Sequence, residues 1–336
     1  MASEPRRLIV NADDFGRTSA INQAVIESHR RGILTSASLM VNGAAVDEAV
    51  RLAHKHPTLA VGLHLTLLNG KATLPPGDIP DLVDPFGNFS NSPVTTGFRY
   101  WFRTGLRRQL ESEIAAQFER FASFDLPLDH LNGHLNVHLH PRILDILVDR
   151  RGEWQIERVR LTREPRDIDA EIGTNGWWYR KTHSTIFGTL ARRSETILSH
   201  NFLHFTDQVF GLLQNDRVDA AYLRELLPRL PAGLSELYCH PATDTHKHEF
   251  DALTNAAIAE ILERQDIRLT TYHEAFASGT SGSTASPALP TTSAPLETHG
   301  KAHRNSPNPS PRGSDQRRAP KMGPQSTRRP RTTRPY

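Results

Sequence analysis

Apolar and polar positions alternate in two kinds of block along the first hundred residues. Leu8-Ile9-Val10 is a short apolar run that predicts a buried strand over residues 7–11. Ile21, Ala24, Val25 and Ser28 then recur at helical spacing. They predict a helix over 19–31, with Thr18 or Ser19 as its cap and Gly32 past its end. A second strand is expected from Leu34 to Val41, and a helix from about Ala44 to Lys55 carrying Ala45, Ala49, Leu52 and Ala53. Leu59-Ala60-Val61-Gly62-Leu63 forms a third strand that exits at His64. This β-α-β-α-β order favours parallel strands with helices outside them.

Residues 66–102 break the pattern with several Pro and Gly, yet hold Phe86, Phe89, Phe98, Tyr100, Trp101 and Phe102. A long loop of this kind suits a substrate lid, and core packing of the rings suits the same residues equally. Regular structure resumes with an amphipathic helix over 104–124 through Leu106, Leu110, Ile114, Phe118 and Phe121. A strand over 128–133, a helix opened by Pro141 and running to about Arg150, and a strand near Val159 and Leu161 follow. Residues 163–215 carry no clear period; Trp177-Trp178-Tyr179 reads equally as a sugar-stacking surface or as core. Helices near 219–228 and 252–264 flank a strand ending at His240, and a last short strand covers 268–271.

Periodicity stops near Gly279. From there to Tyr336 the chain is rich in Pro, Ser, Thr and Arg, with too few apolar residues to offset the entropy of ordering. A disordered basic tail over 279–336 is expected, leaving residues 5–278 as one domain of the size of a single barrel. Charge divides at the same place. Residues 280–336 hold ten Lys and Arg against two Asp and Glu, while the whole chain holds forty against thirty-seven, so the body is net negative by five. The basic balance therefore belongs to the tail, and no nucleic-acid partner is expected for the body. Cys239 is the single cysteine, which excludes an intrachain disulfide. No apolar leader precedes the first strand and no apolar run is long enough to span a bilayer, so a cytoplasmic location is expected. A lipidic substrate would add peripheral contact with the inner membrane.

The chemistry gathers at predicted strand ends. Asn11-Ala12-Asp13-Asp14-Phe15-Gly16 places two adjacent carboxylates at the exit of the first strand. Neighbouring carboxylates raise each other's pKa unless a cation lies between them, so the pair predicts a metal. A helix N-cap pair is the plainer alternative, but Thr18 and Ser19 already serve as caps. Because side chains alternate along a strand, one Asp can ligate the ion while the other sits beside its bound water. His64 supplies a second ligand. His130, His134, His138 and His140 crowd the next strand exit. If that segment stays extended, His134, His138 and His140 share one face. Gly133 would let an ion approach, which makes His134 the ligand and leaves His138 and His140 to support it or touch substrate. His240 is held toward extended geometry by Pro241 and can donate a proton at neutral pH. Cys239 should point away from it, and His246 and His248 are expected in a solvated polar loop.

These segments together resemble one family. Asn-Ala-Asp-Asp-Phe-Gly, Gly-Leu-His-Leu, Asn-Gly-His-x-x-x-His-x-His-Pro and a late His-Pro look like the YdjC-like carbohydrate deacetylases, which include chitooligosaccharide deacetylase. The resemblance spans about residues 6–276. Leu34–Val41, Leu65–Gly70 and His240-Pro241-Ala242-Thr243 look closest to the hopanoid-biosynthesis-associated branch. The resemblance implies a distorted (β/α) barrel resembling a TIM barrel, often dimeric. It implies a divalent cation, Mg or Zn, on Asp14, His64 and His134, with Asp13 as base and His240 as acid. The reaction implied is hydrolysis of the N-acetyl group of an N-acetylglucosamine-type sugar, and by the branch an N-acetylglucosaminyl hopanoid, giving acetate and a free amine. Deacetylation of chitooligosaccharides and a non-catalytic carbohydrate- or lipid-binding relative are the alternatives. One departure stands in the His-rich run: family members commonly carry a further His where this chain has Asn136. A metal phosphoesterase fits less well, since no Gly-rich phosphate loop is present.

Overall fold

In a computed structural model, residues 4–165, 168, 177–214 and 217–277 are described. The tail expected from Gly279 and the side chains of Trp177-Trp178-Tyr179 lie outside the described residues. Strands β1 (Arg6–Phe15), β2 (Ser36–Leu39), β3 (Ala60–Leu65) and β4 (Leu131–Gly133) alternate with α1 (Ser19–Arg31), α2 (Val46–Lys55), α3 (Pro93–Phe102) and α4 (Arg107–Ala122). Then come α5 (Pro141–Asp149), α6 (Trp177–His200), β5 (Gln208–Phe210), α7 (Ala220–Leu226) and β6 (Gly233–Cys239). Finally α8 (Lys247–Leu253), α9 (Ala256–Arg264), β7 (Ile267–Leu269) and α10 (Tyr272–Ala277) complete the described chain.

All strand pairs are parallel, in the order β4-β3-β2-β1-β6-β5. β7 takes the edge of β1 at Arg6–Leu8, below the point where β2 pairs with the same strand. Beyond β4 the ladder continues through single bridges, Leu131 with Val159 and Arg158 with His204. The Val209 amide then donates to the Arg163 carbonyl at 3.0 Å, which ties β5 to the same segment. Hydrogen bonds therefore run around the whole ring. The fold is the expected (β/α) barrel, distorted where 157–163 and 203–207 act as staves without regular strand pairing.

The barrel is apolar outside its wall and polar inside. Leu8, Val10 and Ala12 join the main core between sheet and helices, as do Ala37, Leu39, Val61, Leu63, Leu131, Val159, Leu161 and Leu237. The alternate positions point inward, as strand geometry requires. Low in the barrel, Ile9, Leu234, Tyr272 and Ala275 form a small apolar plug. Above the plug the inward residues are Asn11, Ser36, Ser38, Asn132, Arg160 and Glu236, each fully buried. An unpaired buried polar group costs about 1–3 kcal/mol, so this interior is stable only if its donors and acceptors match.

The elements expected at 19–31, 141–150 and the strand exits agree with the structure, and Thr18 caps α1 by accepting from the Ile21 amide. Several expectations change. Residues 93–102 form a helix, not irregular loop; Pro93 opens it in its first turn. The helix expected over 252–264 is two, because Asn255 accepts from the Ala257 amide and starts α9 afresh. His248 is exposed as expected but lies on α8, and His246 lies in the turn before that helix as expected but is half-buried. Among the described residues no helix is long and apolar enough to cross a membrane.

Candidate active site

The carboxyl ends of the strands carry the predicted residues. β1 would send Asp13 and Asp14 to opposite faces if it stayed regular. It does not: the pairing with β2 shifts register between Ala12 and Phe15, and Asp14 takes φ 64°. A bulge of this kind re-aims a side chain, and Asp is among the few residues that tolerate the left-handed region. Both carboxylates thereby reach the inside of the mouth, within reach of side chains on β3 and β4.

Asp14 Oδ1 lies 2.9 Å from His134 Nδ1 and 3.3 Å from His64 Nε2. One ligand atom from each of Asp14, His64 and His134 falls within 4.8 Å of the others, and all three residues are buried. His64 Nδ1 donates to Asn132 Oδ1 at 2.7 Å, which leaves Nε2 with a lone pair facing a carboxylate. Nε2 of His64 and Nε2 of His134 are both buried without a hydrogen-bond partner. His134 Nδ1 donates to Asp14 Oδ1, and the two partnerless Nε2 atoms beside a buried carboxylate fit a divalent cation. Burial alone would raise the Asp14 carboxyl, but the His134 hydrogen bond and the His64 imidazole beside it hold it well below the usual range. Arg17 also reaches it, NH1 to Oδ2 at 2.7 Å.

Asp13 is surrounded differently. Arg160 grips it through NH1 to Oδ2 at 2.7 Å and NH2 to Oδ1 at 2.9 Å. Asn11 and Asn132 add amide donors to Oδ1 at 2.8 and 3.0 Å. Burial opposes the charge, and Arg160 overcomes it, so Asp13 stays ionised far below ordinary carboxylate pH. Arg160 is itself held by Glu236 Oε1, at 3.0 Å from Nε and 2.8 Å from NH2, and lies 4.4 Å over the Tyr238 ring. Tyr272 donates to Glu236 Oε2 at 2.6 Å.

A second chain of contacts supports the amides. Ser38 Oγ accepts from Asn11 Nδ2 and Asn132 Nδ2 at 2.9 and 2.8 Å. Its hydroxyl hydrogen therefore goes to His130 Nε2, 2.8 Å away, and His130 Nδ1 donates to Asp129 Oδ2 at 2.9 Å. A side chain on Gly62 would strike the His130 ring at 2.6 Å, which is why that strand position is Gly. The order Ser-His-Asp resembles a hydrolase triad, but all three are buried and serve to fix Asn132, which in turn orients both His64 and Asp13.

His240 follows β6, the strand beside β1. Its amide donates to Glu249 Oε2 at 2.6 Å, its ring meets Tyr238 edge-on at 5.9 Å, and its charge bears on Asp13. Cys239 faces the other way: its thiol donates to the Asn11 carbonyl at 3.5 Å, and burial pushes its pKa up, against a nucleophilic role. The His-rich segment departs from expectation. Residues 134–139 form a 3-10 turn with Leu135 and Asn136 in the left-handed region, so His134, His138 and His140 do not share a face. His138 donates from Nε2 to the Arg160 carbonyl at 2.9 Å, and burial lowers its pKa to about 3, which keeps it neutral. His140 donates to the Gly97 carbonyl at 3.1 Å and packs edge-on against Tyr100 and Trp101. Gly133 makes room for the turn, not for an ion: a side chain there would crowd the His138 amide and Val137 at 3.1 Å. Asn136 accepts from the Thr162 hydroxyl at 2.7 Å.

A cleft of about 1140 Å³ opens at the mouth, lined in part by Met40, Asn42, Lys71, Arg99 and Arg103. None of the three ligand candidates lines it, but Arg17, which touches Asp14, does.

The YdjC-like protein family model matches residues 7–264, which takes in every strand exit just described. The chain belongs to the YdjC-like family. A carbohydrate deacetylase of Brevibacillus brevis is 32% identical over 277 residues, covering 80% of this chain and 99% of that protein. A carbohydrate deacetylase of Geobacillus stearothermophilus is 40% identical over 162 residues, 48% of this chain and 60% of that protein. A solved structure from Enterococcus faecalis, named for cellobiose-phosphate cleavage, superposes with a TM-score of 0.61 at 25% identity. It covers 80% of this chain and 98% of its own. In this YdjC-like chain, Arg160 and Glu236 are the site residues that sequence reasoning missed. The available signal was a charged residue inside an otherwise apolar run, in Val159-Arg160-Leu161 and again in Leu234-Ser235-Glu236-Leu237.

Proposed function

We propose that this YdjC-like chain is a metal-dependent carbohydrate N-deacetylase, hydrolysing the acetamide of an N-acetylglucosamine-type sugar to acetate and a free amine. The observation that carries this is the pairing of Asp14, clustered with His64 and His134 whose Nε2 atoms are buried without a partner, with Asp13, ionised and fully anchored one residue away. Asp14, His64 and His134 would hold a divalent cation, which supplies Lewis acidity toward an amide carbonyl and a bound water. Asp13 accepts the proton of the attacking water, and Oδ2 is the oxygen for it, since Arg160 NH1 is its one neighbour among the hydrogen bonds described. Arg160 keeps that carboxylate charged and pointing at the mouth. As the carbon–nitrogen bond breaks, His240 hands its proton to the departing amine; Glu249 and Pro241 fix the backbone that carries it. The deacetylase relatives support the substrate class.

Within that class the proposed substrate is an N-acetylglucosaminyl hopanoid, supported by the branch-like segments and by aromatic residues of α3 beside the cleft, which suit an apolar aglycone. A cytoplasmic homodimer with peripheral membrane contact accompanies this reading. Mass spectrometry after incubation with an N-acetylglucosaminyl hopanoid and, separately, diacetylchitobiose, each with and without chelator, tests it. Chelator-sensitive acetyl loss from the hopanoid alone is expected. Loss from the chito-sugar alone keeps the chemistry and discards the lipid. Turnover of neither, with metal bound, moves the reading to a binding protein.

A further inference from the structure

Helix α3 presents its apolar side to solvent. Its buried side is narrow, Thr96 and Tyr100, with the Tyr100 hydroxyl donating to the Leu67 carbonyl at 2.9 Å. Val94, Phe98 and Phe102 are 70%, 62% and 71% exposed, and Trp101 is 43% exposed. They follow at i, i+4, i+7 and i+8, which at helical pitch makes one continuous stripe opposite Tyr100. The Phe98 and Phe102 rings stack at 6.2 Å, and Arg193 lies 5.9 Å over the Trp101 ring. Arg99 on the helix and Arg103 just past its end line the cleft beside this stripe, and neither forms an ion pair with a described residue.

We propose that α3 docks on an anionic lipid bilayer, with the stripe at the boundary of headgroups and acyl chains and Arg99 and Arg103 on lipid phosphates. Exposed Phe and Trp on one helix face with cations beside them are the residues of an interfacial anchor, and a contiguous apolar surface on a soluble domain marks an interaction site. Charge selects the bilayer over a second copy of the chain. The body is net negative, so the two arginines are a local exception. A twofold contact through this face would set Arg99 and Arg103 against their own counterparts. Docking also turns the cleft toward the headgroup layer, since Arg99 and Arg103 line it. The inference deepens the peripheral membrane contact of the proposed function by naming its surface, and because docking needs no turnover its test fails separately from that of the deacetylase chemistry.

The test uses the full chain with vesicles of phosphatidylglycerol and phosphatidylcholine, and of phosphatidylcholine alone. The basic tail is itself attracted to anionic lipid, so the readout must report α3. Phosphatidylglycerol vesicles with brominated acyl chains should quench tryptophan fluorescence in the wild type. Trp101→Phe should remove that quenching while the protein still sediments with the vesicles. Phe98→Ser with Phe102→Ser should weaken partitioning about tenfold in high salt, where attraction of the tail is screened. Circular dichroism and an unchanged melting temperature establish that these surface variants fold. Equal sedimentation of wild type and the serine variant, with no Trp101-dependent quenching, overturns the proposal in favour of the tail. Equal binding to phosphatidylcholine alone overturns the anionic specificity. A dimer in sedimentation velocity that the serine variant abolishes, with no vesicle binding, assigns the stripe to a second copy instead.

Discussion

Asp13 and Asp14 are adjacent in sequence and occupy opposite surroundings. Around Asp13 every partner is a donor: two nitrogens of Arg160 and the amides of Asn11 and Asn132. Around Asp14 the His134 Nδ1–H donates at 2.9 Å and Arg17 approaches from the solvent side, while the Nε2 atoms of His64 and His134 stay buried without a partner. The first arrangement is complete as it stands. The second is complete only with a cation. Two identical side chains are thus assigned different work by their neighbours, and the bulge at the end of β1 is what lets both reach the same mouth.

The largest effect should come from breaking the Asp14 side. His64→Ala is expected to lose bound metal and turnover together, checked by elemental analysis and acetate release; metal retained at wild-type affinity contradicts the ligand assignment. Asp13→Asn should instead keep its metal and lose about 10²- to 10⁴-fold in kcat, the range of general acid–base catalysis. The contrast fails if the two variants behave alike. Arg160→Met tests whether the Asp13 side is also structural. It strands Asp13 and Glu236 in a buried site, and about 3–5 kcal/mol of stability should be lost in urea unfolding. Asn132→Ala touches both sides at once, through His64 and Asp13. A ten- to hundredfold loss of metal affinity, on the order seen when a partner of a ligand is removed, is expected in competition titrations.

The smallest effect is on acid stability. Asp13 is ionised below its unfolded pKa of about 3.9, so its contribution is fully present above that pH and is lost as pH falls toward the lower folded value. Asp13→Asn should flatten that part of the melting-temperature profile below about pH 4, while the Asp14 part remains.

Much of the site was legible because ligands stand at strand exits. Asp14, His64 and His134 follow short apolar runs, and their type is unusual for such positions. The His-rich segment misled because its length suits a strand, whereas two consecutive left-handed residues, Leu135 and Asn136, fold it into a turn. Local pattern carries no warning of that. Arg160 and Glu236 were harder for another reason. A charged residue on a strand reads as facing water, and nothing local says that the ring closes around it. Only the pairing of 158–163 with β4 on one side and 204–209 on the other brings Arg160 between Asp13 and Glu236. Helix α3 was hidden by the Pro- and Gly-rich stretch before it.

The donor and acceptor matching inside the barrel sets a rule for transplanting this centre. A protein engineer who copied Asp14, His64 and His134 onto another barrel would carry over the ligands without their orientation. Asn132 orients His64, Ser38 holds Asn132, His130 receives the Ser38 hydrogen, and Asp129 fixes the His130 tautomer. Each link has one direction for its hydrogen, so no member can be exchanged alone for a side chain of reversed polarity. The smallest portable unit is that whole chain together with Asp13, Arg160 and Glu236, delivered by six staves of the barrel at once.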